Sequence, residues 1–100
     1  MAIVPKIKVC GLTRMEDIAM CNELGVDYIG FVFAPSKRQI SKEKCTELRK
    51  YVSKKIKVVG VFVNEDIKTV NRISQLCNLD IVQLHGDEDE LYYSMVNKPV

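Results

Sequence analysis

The sequence predicts an α/β fold with a parallel sheet, in the element order βαβαβαβα. Two observations indicate this fold. Four short apolar runs rich in β-branched residues recur along the 100 residues, and each is followed by apolar residues spaced as on one face of a helix. The runs cover residues 7–10, 28–33, 58–63 and 81–84, and apart from Lys8 and Gln83 they contain only apolar residues, tyrosine and glycine. Such runs are typical of parallel strands that are buried on both faces and joined by right-handed helical crossovers.

The first strand and helix meet at a short loop that follows Cys10. Thr13 lies three residues before Glu16, which is the spacing of a capping box and predicts a helix start at Thr13. Gly25 is expected to close this helix. The apolar residues of the helix are Met15, Ile18, Ala19 and Leu24.

The other three helices follow from the same kind of pattern. The second helix is expected to open at Ser41, with Cys45, Leu48 and Val52 on its inner face. The third is expected to open at Asn64, with Ile67, Val70, Ile73 and Cys77 facing inward. The fourth is expected from about residue 88 to residue 96, with Leu91, Tyr92, Met95 and Val96 as its apolar residues. It ends ahead of Pro99, because a residue that precedes proline avoids helical geometry.

Periodicity leaves two architectures open, an open doubly wound sheet and half of a (β/α)8 barrel. In both, ligands bind at the carboxyl ends of the strands, so the loops at residues 11–13, 34–39, 64–66 and 85–89 are the candidate functional segments. Neither G-x-G-x-x-G nor G-x-x-x-x-G-K-[ST] occurs in the sequence, which argues against dinucleotide and nucleoside-triphosphate binding.

Three residues in or directly beside these loops bear useful chemistry. Cys10 places a thiol at the end of the first strand, although a small buried core residue is an equally good interpretation. Arg38 lies in a basic loop and could hold a carboxylate or phosphate through paired donors, although exposed cations are usually solvated. His85 follows the fourth strand, and a solitary histidine is more often structural than catalytic. The acidic residues at 87–90 resemble a metal cluster, but carboxylates also suit the first turn of a helix, and we favour that interpretation.

Composition excludes several classes of function. The net charge of +2 comes from 15 basic and 13 acidic residues that are interspersed, so we expect no nucleic-acid partner. No run approaches the roughly 20 apolar residues of a membrane span, and residues 1–6 lack the apolar core of an export signal, so we expect a cytoplasmic protein with no membrane partner. The four cysteines are far apart and there is one histidine, so neither a disulfide framework nor a metal site is expected.

Five segments together resemble the successive motifs of the N-(5′-phosphoribosyl)anthranilate isomerase family. They are residues 8–13 (KVCGLT), 30–33 (GFVF), 36–41 (SKRQIS), 59–64 (VGVFVN) and 82–88 (VQLHGDE). The resemblance implies a TIM (β/α)8 barrel and a step of tryptophan biosynthesis, the cofactor-free Amadori rearrangement of a phosphorylated sugar substrate. It implies that Cys10 is the general base and that Arg38 meets the anthranilate carboxylate. It places Gln83 and His85 near the substrate without assigning them a chemical step.

The resemblance covers only the amino-terminal half of the family's barrel. We therefore expect residues 1–100 to form one incomplete (β/α)4 domain that stops where a fifth strand would begin. In the family, the general acid follows the sixth strand and the phosphate is bound after the seventh and eighth, so little or no activity is expected of this chain alone. Its open sheet is expected to self-associate or to pair with a carboxyl-terminal half-barrel. The alternative is a non-catalytic half-barrel that only folds or associates.

Overall fold

The computed structural model describes residues 6–100, and residues 1–5, which include most of the segment considered as an export signal, lie outside it. Within residues 6–100, four strands alternate with four helices, which confirms the predicted βαβαβαβα order. In sequence order the elements are β1 (Lys8–Cys10), α1 (Met15–Leu24), β2 (Tyr28–Val32), α2 (Lys42–Arg49), β3 (Lys57–Phe62), α3 (Ile67–Leu76), β4 (Ile81–Leu84) and α4 (Glu90–Met95).

The strands form one parallel sheet in the order β1-β2-β3-β4. A doubly wound sheet reverses its strand order at a switch point, whereas a barrel adds each strand beside the preceding one. The observed order therefore decides between the two architectures left open by the sequence, in favour of half a barrel. In the register, Cys10 lies opposite Gly30, Gly30 opposite Val59, and Val59 opposite Ile81.

The two faces of the sheet have different environments, because side chains alternate along each strand. One face packs against the helices and forms the core, to which the strands contribute Ile29, Phe31, Val58, Phe62 and Val82. The rings of Phe33 and Phe62 are stacked there, with their centroids 5.0 Å apart. Among the described residues no helix packs on the opposite face. That face carries the row of Cys10, Gly30, Val59 and Ile81, followed by the row of Val32, Val61 and Gln83.

The sheet is strongly curved, with its helix-free face on the concave side. The ammonium group of Lys8 on β1 hydrogen-bonds to the side chain of Gln83 on β4. A flat sheet would hold strands that are three positions apart about 14 Å from each other, which is too far for this contact to be expected. The curvature brings the two edge strands toward each other, as in the wall of a barrel.

Two of the predicted helix boundaries are confirmed. Ser41 caps α2, since its hydroxyl accepts a hydrogen bond from the backbone N–H of Lys44 at 3.1 Å. Gly25 ends α1 in the left-handed conformation, with φ 68° and ψ 41°, and its N–H donates to the carbonyl of Cys21 at 3.0 Å. Glycine suits this position because it has no Cβ to clash.

Two other predicted boundaries, the starts of α1 and α3, are wrong. The chain stays extended through Arg14, which takes the cap position of α1 without a side-chain hydrogen bond, so Thr13 does not form the predicted capping box. The Arg14 guanidinium pairs instead with the carboxylate of Asp17 at 3.2 Å. Similarly, α3 begins at Ile67 after Asp66, so Asn64 does not open it. Asn64 is engaged elsewhere, as described below.

Smaller differences concern the extent and inner faces of the elements. β1 and β2 are each one residue shorter than predicted, β3 is shifted by one residue at both ends, and only Ile81–Leu84 agrees at both ends. The helix α2 ends at Arg49, so Val52 lies in the turn after the helix and not on its inner face as predicted. Its side chain is nevertheless buried. Leu24 and Leu91, which belong to the apolar patterns of the first and fourth helices, are 69% and 67% exposed. Tyr92 and Val96 provide the contacts of α4 and the segment after it with the core.

Residues beyond α4 turn back toward the sheet. The backbone N–H of Val82 donates to the carbonyl of Pro99 at 2.8 Å, so the segment runs beside the outer edge of β4. The side chain of Asn71 holds the preceding turn through hydrogen bonds to Met95 and Asn97, both at 2.9 Å. Across residues 6–100, every helix is too short or too polar to traverse a lipid bilayer.

Candidate functional site

Cys10 is the last residue of β1 and lies on the helix-free face. It is half-buried and is not part of the hydrophobic core, so the structure favours the strand-end interpretation over the core interpretation. Gly30, its neighbour on β2, leaves the space that the sulfur occupies: a Cβ added at Gly30 would lie 2.7 Å from Cys10 Sγ. The thiol therefore packs over the backbone of β2.

Gly11 makes the sharp turn that leads out of the thiol-bearing strand. Its φ is +83°, a conformation that L side chains rarely adopt, and its N–H donates to the carbonyl of Gly30 at 2.9 Å. A Cβ at this position would lie 2.6 Å from Cδ of Arg38. Because Gly11 has no side chain, the Arg38 side chain can pass directly over the loop that follows Cys10.

The loop at residues 34–39 is folded by its own hydrogen bonds. The hydroxyl of Ser36 accepts from the N–H of Arg38 at 3.2 Å, and the Gln39 amide donates to the carbonyl of Phe33 at 3.1 Å. Arg38 is exposed, and its guanidinium forms no ion pair with a carboxylate among residues 6–100. Its donors are therefore available to an external anion.

Gln83 and His85 lie at the end of β4 and complete the other side of the same face. The Gln83 amide contacts Nε2 of the His85 ring, and it also accepts the hydrogen bond from Lys8. Curvature of the sheet thus brings together all four residues that the sequence singled out, Cys10, Arg38, Gln83 and His85, around one groove.

This groove has a volume of about 710 Å³, and its lining is positively charged. Its charged lining residues are Lys8, Lys37 and Arg38, and no carboxylate is among the described residues that line it. Two valines, Val61 and Val63, form an apolar part of its wall. Cations without carboxylates, next to an apolar wall, suit an anionic ligand with an aromatic or other apolar part.

Hydrogen bonds that the sequence did not predict join the loops after β3 and β4. Asn64 adopts a left-handed conformation with φ 49°, and its side-chain oxygen accepts from the N–H of Asp87 at 2.7 Å. The carboxylate of Glu88 accepts from the N–H groups of Asn64 at 2.6 Å and Gly86 at 2.8 Å. This link holds the two loops together beside His85. The left-handed tendency of asparagine was the available signal for a turn rather than a helix cap.

Two of the four acidic residues at 87–90, Glu88 and Asp89, accept hydrogen bonds from backbone amides. Asp89 caps α4 by accepting from the N–H of Tyr92 at 2.8 Å, and Glu90 lies in the first turn of that helix. Both placements confirm the helix-start interpretation, whereas Glu88 belongs to the loop link. In the part of the chain that the structure covers, no three side chains of the metal-binding types gather into a possible metal site.

The other three cysteines lie in the core, away from the groove. Cys21 and Cys45 are fully buried and Cys77 is 1% exposed. A hydrogen bond shared by Cys45 and Cys77 raises the pKa of Cys45 and lowers the pKa of Cys77 to about 7, with burial opposing the change at Cys77. Burial raises the pKa of Cys21. Among the cysteines, only Cys10 is accessible from the groove.

Comparison with known proteins gives a consistent result. The family model of N-(5′-phosphoribosyl)anthranilate isomerase matches residues 7–100. The isomerases of Thermoanaerobacter sp. strain X514 and Clostridium acetobutylicum are 54% and 55% identical to the chain over 87 residues. These matches cover 87% of the chain and 43% and 42% of the two relatives. The chain thus spans less than half the length of these curated relatives.

Solved structures of isomerases match the fold over the same extent. The Thermotoga maritima enzyme superposes with a TM-score of 0.90 at 36% identity, covering 93% of the chain and 46% of that enzyme. A phosphoribosyl anthranilate isomerase in complex with reduced 1-(o-carboxyphenylamino)-1-deoxyribulose 5-phosphate also superposes with a TM-score of 0.90 at 36% identity, with coverages of 93% and 48%. By sequence and by fold, the chain belongs to the N-(5′-phosphoribosyl)anthranilate isomerase family.

Proposed function

We propose that this chain supplies half of an active site that converts N-(5′-phosphoribosyl)anthranilate into 1-(2-carboxyphenylamino)-1-deoxyribulose 5-phosphate. The observation that supports this most strongly is the groove, where one accessible thiol and three cations share the concave face without a lining carboxylate. The substrate has a carboxylate, a phosphate and an aromatic ring. A relative that shares the fold binds the reduced form of the product.

The rearrangement needs one acid and one base. Protonation of the furanose oxygen breaks its bond to C1, while the nitrogen lone pair forms the C1–N double bond of an iminium. Removal of the proton from C2 then moves the C2–H electron pair into a C1–C2 double bond and returns the C1–N electrons to nitrogen. The resulting enolamine tautomerises to the ketose. The atoms balance without any redox partner.

Cys10 is the base in this proposal. It lies at the carboxyl end of β1, where barrel enzymes place catalytic groups, and its sulfur faces the groove instead of the core. The thiolate is the form that accepts a proton. Lys8 and Arg38, which line the same groove, supply positive charge on this face.

Arg38 binds the anthranilate carboxylate. A guanidinium offers parallel N–H donors that match the two oxygens of a carboxylate. The self-bonded loop at residues 34–39 and the absence of a Cβ at Gly11 hold its side chain beside the first strand. This position puts the carboxylate-binding group and the thiol on the same side of the ligand.

A second half-barrel completes the site. Along the described chain, β1 pairs only with β2, and the segment at Pro99 contributes a single backbone hydrogen bond to the outer edge of β4. Open edges of a parallel sheet favour addition of further strands. The partner half brings the general acid and the phosphate-binding loops, so the chain alone has little or no isomerase activity.

The test is turnover of the fluorescent substrate, followed as loss of its fluorescence. The chain is assayed alone and after mixing with the carboxyl-terminal part of the Thermoanaerobacter isomerase that lies beyond the matched segment. We expect turnover only in the mixture, and we expect C10S to lower it by about 10²- to 10⁴-fold, the range for loss of a general acid or base. C21A, a cysteine substitution in the core, is the matched control and retains activity. Equal turnover by C10S and C21A would remove Cys10 from the mechanism.

The open edges also support a second candidate function, a half-barrel that associates with a copy of itself. Here the concave faces of two chains close into one eight-stranded barrel, which covers Ile81, a half-buried residue of the concave face. Sedimentation velocity of the chain alone tests this. We expect a dimer at micromolar concentration, and a compact monomer at all concentrations would contradict it.

A further inference from the structure

Three side chains form a connected polar chain across the concave face. Lys8 projects from β1 and its Nζ donates to Oε1 of Gln83 on β4. The other end of the same amide, Nε2 of Gln83, contacts Nε2 of His85. The chain thus joins residues from the two edge strands of the sheet, 75 positions apart in the sequence.

The lysine determines how the glutamine amide is oriented. An ammonium group has only donors, and an amide has a carbonyl acceptor at one end and an NH₂ donor at the other. The carbonyl of Gln83 must therefore face Lys8, because the reversed amide would bring NH₂ against NH₃⁺. With its carbonyl held in this way, Gln83 presents its NH₂ group to the imidazole.

The oriented amide determines where the histidine carries its proton. Since the NH₂ of Gln83 can only donate, Nε2 of His85 must accept, and an accepting ring nitrogen has no proton. In the neutral ring the proton then resides on Nδ1. Free histidine prefers the other tautomer, with the proton on Nε2, so the arrangement reverses an intrinsic preference.

We infer that Lys8 is a positioning residue that, through Gln83, holds neutral His85 in the Nδ1–H tautomer at the rim of the groove. The consequence for catalysis rests on the proposed function. With Nε2 occupied by Gln83, His85 does not act as a base through that nitrogen. Its remaining hydrogen-bond donor, Nδ1–H, suits an oxygen acceptor of the substrate, such as a sugar hydroxyl or phosphate oxygen.

The experiment uses the single histidine of the sequence as a spectroscopic probe. Two-bond ¹H–¹⁵N correlation spectra of the uniformly ¹⁵N-labelled chain at pH 8, where a free imidazole is neutral, show which ring nitrogen has the proton. We expect Nδ1–H in the wild type. K8M frees the amide to turn, so we expect a shift toward Nε2–H, and Q83M removes the donor and gives the same shift.

Two further variants separate the tautomer from general structural effects. K8R keeps a donor-only cation at the same place and retains Nδ1–H. K57M removes an exposed lysine from β3 and is the matched control, which also retains Nδ1–H. Nε2–H in the wild type, or an unchanged Nδ1–H ring in K8M, would overturn the inference. The spectra are recorded without substrate, so failure of the proposed isomerase activity would leave this result unaffected.

Discussion

Gly30 is the position at which one added methyl group tests the placement of the thiol most sharply. The G30A substitution puts a carbon 2.7 Å from Cys10 Sγ, 3.2 Å from its Cβ and 3.3 Å from its Cα. All three atoms belong to Cys10, and its Cα is part of the backbone of β1. The methyl group therefore cannot be accommodated without moving the sulfur or separating the two strands.

The size of the effect follows from these distances. Non-bonded heavy atoms prefer separations of about 3.5–4.0 Å, so the sulfur must shift by about 1 Å. Overpacking of this kind typically costs about 1–3 kcal/mol of folding free energy. In an assembled active site, a displacement of about 1 Å at a reacting group lowers turnover by about 10²-fold.

The matched control is G25A, which places the same methyl group in open space. Apart from its neighbours in the chain, no residue has an atom within 4 Å of a Cβ at Gly25, but its φ of +68° strains alanine by about 1–2 kcal/mol. Urea unfolding should show similar destabilisation for both variants. When each chain is mixed with the carboxyl-terminal half-barrel at a temperature where both are folded, kcat should fall only for G30A. Equal kcat values for the two variants would refute the assigned position of the sulfur.

Three further predictions use other features of the molecule. N64A removes the acceptor of the Asp87 N–H and leaves alanine at φ 49°, so the free energy of unfolding in urea should fall by about 1–3 kcal/mol. A fall below about 0.5 kcal/mol would contradict the role of Asn64 in joining the loops after β3 and β4. Y92F removes the hydrogen bond to the Glu65 carbonyl and should cost about 1 kcal/mol at pH 7. Burial and neighbouring carboxylates raise the pKa of Tyr92 in the folded chain, so above about pH 10 this phenol ionises more readily in the unfolded chain and the wild type loses stability. Phenylalanine does not ionise, so the stability difference between the wild type and Y92F should shrink above that pH. A constant difference from about pH 7 to pH 11 would contradict this prediction. Iodoacetamide should modify Cys10 before Cys77, despite the lowered pKa of Cys77, because that side chain is 1% exposed, and peptide mapping that finds Cys77 first would show that access was misjudged.

The fold could be predicted from the sequence because the strands are mostly apolar and the turn residues are locally specified. Ser41 and Gly25 act through contacts within one helical turn, so their sequence signals were sufficient. Asn64 was misassigned because two nearby residues, Asn64 and Asp66, both suit a cap. Which of the two caps the helix depends on Glu88, which lies 24 residues away and accepts a hydrogen bond from the backbone N–H of Asn64.

The site was predictable in outline for a different reason. Strand-end loops of a parallel sheet meet at one edge, so Cys10, Arg38 and His85 could be placed near one another without coordinates. The contacts that refine the site depend on register and curvature. Gly30 opposes Cys10 only in the observed pairing, and Lys8 reaches Gln83 only because the sheet curves. Neither property is encoded in a local pattern.

The central claim is that Cys10 and Arg38 face the same ligand on the concave side of the sheet. A crystal structure of this chain with the carboxyl-terminal half-barrel and reduced 1-(o-carboxyphenylamino)-1-deoxyribulose 5-phosphate tests it directly. We expect the carboxylate of the ligand on the Arg38 guanidinium and C2 of its sugar against Cys10 Sγ. A ligand bound elsewhere, or a sulfur turned away from C2 toward the strand behind it, would contradict this placement of the two residues.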